Sequence, residues 1–453
     1  GEGNNFIIDL KKLLKIITYT LTSLCLLAIT LVGRIDDTPL KEQPFYQTMM
    51  KRLDTLSLRP HNGTSPLMVG WSEFNITPAY SMPMAGYTPK DRFNTIHDSL
   101  YCRILSISNG SSQSFIISLD LMLFPPVIKD RLNDYLAKNK IQDFLYFTAT
   151  HTHSSLGGWD DSIVGRFTIG TFHEEWVEST TQQIIRHMDI ARQTAKPSRI
   201  AYWESDASEY VENRLDNASP TDGFLRGINI TRADSSRAVL ATFSGHPTNI
   251  ELLGRTLSGD YPAMLVKELK QRGYAFGMFM AGMVGSHRVK GFDGEQFAKI
   301  DSIGKTLVRK FELAKSTDTL PAPVSIIGRH IPIAYGPSQL HFEPGWKARD
   351  WAFRGLIGEL RGELTYLKIG NITFIGTPCD FSGEIFAEAE WQKWCTDNNQ
   401  HLIITSFNGN YVGYITADHH YGKKEEEVLA LNWVGPHFGE YFKQMIERCV
   451  KQH

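Results

Sequence analysis

Two histidines separated by one residue, His151 and His153, are the strongest chemical signal in this 453-residue sequence. They follow an apolar and aromatic run at 143–149 that is typical of a buried strand. Side chains at positions i and i+2 of an extended segment lie on the same face, so both imidazoles can line one site. The pair therefore predicts either two ligands for Zn²⁺, or one ligand beside one group that polarises a carbonyl. Two ordinary histidines in a turn are the alternative interpretation.

Three other strand-like runs are followed by residues that can bind a metal. These are His246 after 238–243, Asp380 after 367–375, and Tyr414 after 401–407. Ligand sites in open α/β sheets lie beyond the carboxyl ends of strands, so we expect these side chains to share one crevice with the histidine pair. Imidazoles, a carboxylate and a phenolate together are an acceptable donor set for Zn²⁺. Structural interpretations remain open: Asp380 as a helix cap, His246 in a turn, and Tyr414 in the core.

Six motifs, taken in order along the chain, resemble those of the neutral/alkaline non-lysosomal ceramidases. They lie at 69–78, 84–87, 149–154, 246–248, 378–382 and 414–416. The resemblance spans about residues 67–445 and is to the N-terminal catalytic domain of that family. It implies a zinc-dependent amidohydrolase whose substrate is a ceramide-like or other long-chain acyl-amide lipid.

The resemblance also implies a role for each matched residue. The implied zinc ligands are His151, His246, Asp380 and Tyr414, and the implied catalytic residues are His153 and Arg214. Zinc in such a site lowers the pKa of its water from about 15.7 towards 7. His153 would contact the scissile carbonyl rather than the metal. A hydrogen-bond donor directed at the developing oxyanion stabilises the transition state by about 3–4 kcal/mol.

Departures from the family pattern keep other functions open. Asp380 is one methylene shorter than the family's glutamate, so either the ion lies closer to that strand or Glu384 contributes. The family's serine-bearing loop is nearly absent, so Ser286 receives no role, and acidic residues at Glu425 and Glu426 replace a pocket tyrosine. The alternatives are a catalytically inactive lipid-binding or assembly protein, and an enzyme that forms the amide instead of hydrolysing it.

The segments that carry these residues predict one large α/β domain over 67–453, with a mixed β-sheet core and flanking helices. Predicted strands lie at 103–108, 114–119, 143–149, 199–203, 238–243, 275–280, 324–331, 367–375 and 401–407. Predicted helices lie at 126–138, 174–194, 261–271, 296–313, 384–396 and 436–450. A formal charge of −2 gives the chain no overall positive electrostatic potential that would attract nucleic acid, so we expect no nucleic-acid partner.

The N-terminus predicts a single transmembrane signal anchor over 1–35. Its uncharged apolar run at 16–32 lies at the short end of the spanning range. Lysines precede this run and aspartates follow it, so the positive-inside rule predicts a cytoplasmic N-terminus and an extracytoplasmic catalytic domain. A cleaved signal peptide is the alternative, although 31–33 is a poor cleavage site. Residues 36–66 are predicted to form a juxtamembrane helix and linker, since apolar residues recur there at helical spacing.

Overall fold

The computed structural model of the chain describes residues 2–60, 62–86, 91–250, 254–425 and 427–451, with the side chains of 2–9 and Ala28 left aside. Tyr87 and Glu426, which the sequence analysis singled out, lie outside these residues. The helices are α1 (Glu2–Leu31), α2 (Pro44–Asp54), α3 (Pro126–Asn139), α4 (Ile163–Thr168), α5 (Glu174–Gln193), α6 (Asp260–Gln271), α7 (Gln296–Glu312), α8 (Asp350–Leu356), α9 (Gly383–Glu388), α10 (Trp391–Asp397) and α11 (Phe438–Lys451).

The strands alternate with these helices, as expected for an α/β domain. They are β1 (Val32–Arg34), β2 (Met68–Asn75), β3 (Met84–Gly86), β4 (Thr95–Ile96), β5 (Tyr101–Ser108), β6 (Gln113–Leu119), β7 (Phe144–Ala149), β8 (Ser154–Leu156), β9 (Lys196–Asp206), β10 (Val211–Asn213), β11 (Phe224–Arg232), β12 (Arg237–Phe243), β13 (Thr256–Leu257), β14 (Phe276–Ala281), β15 (His287–Val289), β16 (Lys315–Ser316), β17 (Ile326–Pro332), β18 (His341–Glu343), β19 (Trp346–Ala348), β20 (Glu363–Ile369), β21 (Ile372–Gly376), β22 (Asp380–Phe381), β23 (His401–Thr405) and β24 (Tyr414–Ile415). The predicted α/β class is confirmed.

Two mixed sheets form the core. The larger has the order β14-β12-β11-β9-β2-β5-β6-β7, and β16 pairs with β9; the smaller has the order β17-β20-β21-β23. The pairs β12–β14, β6–β7 and β21–β23 are parallel, which explains the helical connections between them. Buried side chains from both sheets, such as Tyr146 and Phe374, pack between them in one apolar cluster.

Helices cover the outer faces of this sheet pair. Apolar residues of α3 and α5 pack with one part of the large sheet, and those of α6 and α7 with another. The outer face of the small sheet packs with α2, α9, α10 and α11. Because of this layering, each amphipathic helix buries the apolar side chains of one face against a sheet.

Two predicted elements are each divided in the structure. The run at 367–375 is a hairpin of β20 and β21, because the chain turns at Gly370, which has φ +59°. The helix predicted at 384–396 is broken into α9 and α10 at Glu390, whose φ is +51°. The apolar pattern continues through both breaks, so it gave no sign of them.

The N-terminal helix α1 is apolar and lies outside the core. Its segment Leu10–Leu31 has 22 residues and a mean hydropathy of 1.8, long and apolar enough to cross a membrane by length and composition. The chain then forms β1, which pairs antiparallel with β19. Helix α2 buries Met49 and Leu53 against the α11 side of the core, so the predicted helical stripe packs on the protein itself.

Candidate metal centre

Three imidazoles converge at the carboxyl ends of β7 and β12. The Nε2 atoms of His151 and His246 are 2.9 Å apart, those of His246 and His153 are 2.9 Å apart, and those of His153 and His151 are 3.2 Å apart. His151 and His246 are both buried. The histidine pair and the residue after 238–243 therefore share one site, as the strand-end pattern predicted.

Backbone carbonyls fix the orientation of two of these rings. The Nδ1 atom of His151 donates to the carbonyl of Met122, and the Nδ1 atom of His246 lies 3.3 Å from the carbonyl of Val284. Because a carbonyl oxygen only accepts, each Nδ1 carries the proton and each Nε2 presents a lone pair. His151 also has φ +64°, an uncommon conformation for a residue with a side chain, and its ring stacks on Phe407 with centroids 4.0 Å apart.

Neutral imidazoles are the form that binds a metal. Burial, the other histidines and Arg214 lower the pKa of His246 well below its ordinary value. Burial, His151 and Arg214 do the same for His153. Converging lone pairs in a buried site repel one another unless a cation lies between them. The arrangement fits a divalent metal ion.

Asp380 contributes an unpaired carboxylate oxygen to the same place. Its Oδ1 atom lies 3.3 Å from His151 Nε2 and accepts no hydrogen bond from the residues that the structure describes. Its Oδ2 atom accepts a 2.8 Å hydrogen bond from the Tyr411 hydroxyl. A buried carboxylate oxygen without a donor is costly, whereas the same oxygen is a good ligand for a metal. The helix-cap interpretation of Asp380 is wrong, because Ser382 caps α9.

Tyr414 and Arg214 form a pair beside this cluster. Tyr414 is the register partner of Asp380 in the short parallel ladder β22–β24. Arg214 Nη2 donates to the Tyr414 hydroxyl at 3.4 Å and to the Gly285 carbonyl at 3.4 Å. Its Nε atom lies 3.2 Å from a carboxylate oxygen of Glu427. All six predicted site residues thus lie in one region, although the pairing with Glu427 was not predicted.

His153 lies as close to the centre as the two predicted ligands. The resemblance implies that it contacts the substrate carbonyl and does not bind the metal. In the structure its Nε2 atom is as close to that of His246 as the Nε2 of His151 is. The distances therefore favour a third imidazole ligand, and the contact with a carbonyl remains a prediction.

The shorter side chain of Asp380 left open a contribution from Glu384 to the metal site. Glu384 does not lie there. Its carboxylate bonds Asn213 and His420 instead. The signal for this separate cluster was the consecutive pair His419 and His420, which the sequence analysis did not use.

Ser286 is held in a way that leaves it inactive as a nucleophile. His287 Nε2 accepts from the backbone N–H of Asp222 at 2.9 Å, so its proton is on Nδ1, which lies 2.9 Å from the Ser286 hydroxyl. The imidazole therefore donates to Ser286 and does not accept its proton. This agrees with leaving Ser286 without a role.

Gly86 allows the second motif to approach the histidine segment. It pairs with Ser154 in the β3–β8 ladder and has φ +115°. A Cβ atom at this position would lie 2.0 Å from the carbonyl oxygen of His153. A glycine is required here because no larger residue fits between the two segments.

Among the residues that sequence reasoning missed, Tyr411 lies closest to the candidate metal centre. We expect Tyr411→Phe to weaken zinc binding about 10- to 100-fold, since loss of the hydroxyl leaves both oxygens of Asp380 without a donor. Zinc titration against a competing chelator measures the effect. The matched control is Tyr46→Phe, which removes a hydroxyl bond to Gln444 between α2 and α11 and should leave zinc affinity unchanged. Equal affinities for both variants would contradict the assignment.

Comparison with known proteins supports the family predicted from the six motifs. Residues 67–273 match the model of the family described as neutral/alkaline non-lysosomal ceramidase, N-terminal. The match includes His151, His153, Arg214 and His246, whereas Asp380 and Tyr414 lie beyond it.

Solved structures show that the likeness extends over most of the chain. A crystal structure of neutral ceramidase from Pseudomonas aeruginosa superposes with a TM-score of 0.71 at 16% identity, covering 86% of this chain and 74% of that one. A ceramidase complexed with C2 gives a TM-score of 0.72 at 15% identity, covering 86% of this chain and 75% of that one. At this level of identity the comparison establishes the fold. Residues 67–273 thus match the N-terminal model of the neutral/alkaline non-lysosomal ceramidases, and the chain has the fold of the solved ceramidases.

Proposed function

We propose that this chain is a membrane-anchored, zinc-dependent amidohydrolase that cleaves the N-acyl amide bond of a ceramide-like lipid. The observation that carries the proposal is the convergence of three Nε2 atoms within 2.9–3.2 Å beside an unpaired oxygen of Asp380. The match of residues 67–273 to the ceramidase family model supports an amide bond as the target, and the solved ceramidase complexed with C2 supports a lipid as the ligand class.

The donor set is suited to zinc. Three imidazole nitrogens and one carboxylate oxygen, from His151, His153, His246 and Asp380, are ligands that zinc accepts in proteins. Tyr414 stays a candidate ligand through its pairing with Asp380. A bound zinc ion polarises a carbonyl and activates water for attack on an amide carbon.

Arg214 is the residue best placed to bind the amide oxygen. Its guanidinium is largely buried, and Nη2 reaches two acceptors only at 3.4 Å, long for a hydrogen bond to a charged donor. A carboxylate oxygen of Glu427 lies 3.2 Å from Nε and pairs with the positive charge, but it accepts no hydrogen bond from Nε. The loosely held edge of the guanidinium can therefore donate to a carbonyl oxygen on which negative charge develops.

A second candidate function is a catalytically inactive lipid-binding or assembly protein with the same fold. Two observations favour it: the positive charge of Arg214 is already paired with Glu427, and the Ser286 hydroxyl is held as an acceptor. Amide synthesis from an acyl chain and an amine is the same chemistry in reverse and uses the same residues.

Mass spectrometry of a lipid extract distinguishes these functions. The extract is incubated with the protein and, in parallel, with His151→Ala. Hydrolysis releases a fatty acid and the matching amine only with the unaltered chain, and synthesis consumes them. Binding without a change in either pool supports the inactive protein and contradicts the proposed activity.

The proposed anchor is α1, and its end is fixed to the globular part. Arg349 donates its backbone N–H to the Leu31 carbonyl at 2.8 Å and its Nε to the Val32 carbonyl at 2.9 Å. Trp346 in the paired strand β19 and Trp351 in α8 are 40% and 58% exposed. Exposed tryptophans near the end of an apolar helix are typical of a membrane–water interface. We therefore propose a cytoplasmic N-terminus, an anchor over 1–35, a connecting segment over 36–66 and an extracytoplasmic hydrolase domain over 67–453.

We expect the double substitution Leu21→Arg and Leu24→Arg to move the protein from the membrane to the soluble fraction. Both side chains are exposed on α1, and an arginine at the centre of a spanning helix costs about 3 kcal/mol. Carbonate extraction followed by immunoblotting measures the distribution. Leu313→Arg, at an 80% exposed leucine of the globular part, is the matched control and should stay in the membrane fraction. Retention of the double variant would contradict the anchor.

A further inference from the structure

A second group of potential metal ligands lies outside the His151 cluster. Glu384 at the start of α9 and the consecutive residues His419 and His420 each bring one ligand atom within 4.8 Å of the others. Glu384 and His420 are fully buried, whereas the His419 side chain is 52% exposed. The group therefore opens to solvent on one side only.

The two carboxylate oxygens of Glu384 have different surroundings. Oε2 accepts a 2.8 Å hydrogen bond from Asn213 and lies 2.8 Å from His420 Nε2. Oε1 accepts no hydrogen bond of normal geometry from the described residues, although it is fully enclosed. The Ser219 hydroxyl is a further polar neighbour of this carboxylate. A buried oxygen of this kind needs a partner, because the loss of its hydration is otherwise uncompensated.

The neighbour of Oε1 lies at the spacing of a second ligand and does not donate to it. His419 Nε2 lies only 3.1 Å from Oε1, yet no hydrogen bond joins them. An ordinary ion pair at this distance would direct the N–H at the oxygen. Two ligands of one metal ion are also about 3 Å apart, but both are directed at the ion between them.

His420 is also incompletely paired. Its ring is fully buried, and its Nδ1 atom has no hydrogen-bond partner among the residues that the structure describes. The cluster therefore holds two buried polar atoms, Glu384 Oε1 and His420 Nδ1, that form no hydrogen bond within the described part of the chain. Two imidazoles and one carboxylate form the donor set of known three-ligand zinc sites that keep a further position for water.

We propose that Glu384, His419 and His420 bind a second zinc ion, with solvent completing the coordination on the exposed side of His419. Binding would supply the missing partner of Glu384 Oε1. It would replace an unfavourable buried arrangement by one in which carboxylate and imidazoles share a cation.

The position of this site gives it a role in holding the catalytic region together, and that role rests on the proposed function. Asn213, which bonds Glu384, directly precedes Arg214. Glu384 is in the α9 segment that follows Asp380, and His419 is in the 3₁₀ turn that follows Tyr414. The ion would therefore join the three segments that carry Arg214, Asp380 and Tyr414.

Zinc stoichiometry tests the site without relying on activity. The full chain in detergent is stripped with chelator, equilibrated with Zn²⁺ alone, separated from free metal and measured by plasma mass spectrometry. We expect two zinc ions per chain in the unaltered protein and one in His419→Ala, whose exposed side chain can be removed without opening the core. His151→Ala should also retain one, and the double variant none. His330→Ala, at a partly exposed histidine on β17, is the matched control and should retain two.

The outcomes separate this proposal from the proposed function. One zinc ion that is lost in His151→Ala and kept in His419→Ala overturns the second site and leaves the catalytic centre intact. One ion that is lost in His419→Ala and kept in His151→Ala supports the second site and contradicts the catalytic centre. Glu384→Gln, which keeps the size of the side chain, provides an independent check: the second ion should be lost, and its retention would also overturn the proposal.

Discussion

Substitution of His151 by alanine should remove the zinc ion of the catalytic centre and lower amide cleavage about 10³-fold or more. The imidazole is a proposed ligand, and its Nε2 lies 2.9 Å from that of His246 and 3.2 Å from that of His153. Without it the remaining donors no longer surround the ion, and the activation of water that zinc supplies is lost. Zinc content and the rate of fatty-acid release from a ceramide-like amide, measured on the same preparation, check both effects.

The control for this experiment is another histidine whose loss should matter little. His330 is partly exposed on β17 and pairs with Glu363, outside the metal cluster. His330→Ala should keep the zinc ion of the centre and nearly full activity. If His151→Ala kept both the zinc ion of this centre and the rate of fatty-acid release, His151 would be neither a ligand nor needed for cleavage, and the proposed centre would be wrong. If the unaltered chain itself bound no zinc there and released no fatty acid, the inactive lipid-binding protein would be the better account.

The convergence of the site residues was predictable because it follows from sheet geometry. His151 and His246 come after strands of one sheet, and Asp380 comes after β21 of the other, so strand ends bring them to one edge. The sequence pattern locates such ends well, since an apolar run that stops at a polar residue is a local signal. The resemblance to the ceramidases added the implied roles of Asp380 and Tyr414 as zinc ligands, and the structure makes these two residues register partners in the β22–β24 ladder.

The contacts between loops were not predictable in the same way. Three such contacts join residues that are between 31 and 213 positions apart: Tyr411 with Asp380, Glu427 with Arg214, and His420 with Glu384. The segments that carry them have no regular period. No local pattern records which loop faces which, so these partners follow only from the folded chain. The ring orientations of His151 and His246 depend in the same way on the backbone carbonyls of Met122 and Val284, which come from other loops.

Two central strands were also missed, for physical reasons that the structure shows. Strand β11 contains Arg226, whose charge is buried in an ion pair with Asp222 at 2.6 Å, and Gly227, whose Cβ would lie 1.8 Å from the Leu240 carbonyl oxygen. Strand β2 contains Gly70, where a Cβ would lie about as close to the Ala191 carbonyl oxygen of α5. A paired charge and a close-contact glycine both interrupt the apolar alternation that marks a strand.

Asp380→Asn should lower the zinc affinity of the catalytic centre by about two orders of magnitude or more, and turnover with it. The substitution keeps the shape of the side chain but removes the negative charge from Oδ1, the buried oxygen 3.3 Å from His151 Nε2. A neutral amide oxygen is a weaker zinc ligand than a carboxylate, and loss of a primary ligand should exceed the 10- to 100-fold effect of an outer-shell change such as Tyr411→Phe. Chelator competition and amide turnover are the measurements.

Asp380→Glu separates the effect of charge from the effect of reach. It restores the negative charge and the family's side-chain length, but the added methylene must fit where Asp380 is 1% exposed and already bonded to Tyr411. If Asp380 is a ligand, the glutamate variant should keep more zinc than the asparagine variant, because charge contributes more to affinity than an adjustment of position. If the two variants bind zinc equally and as tightly as the unaltered chain, the carboxylate is no ligand. The three imidazoles alone would then hold the metal, and Tyr414 would become the candidate for the fourth position.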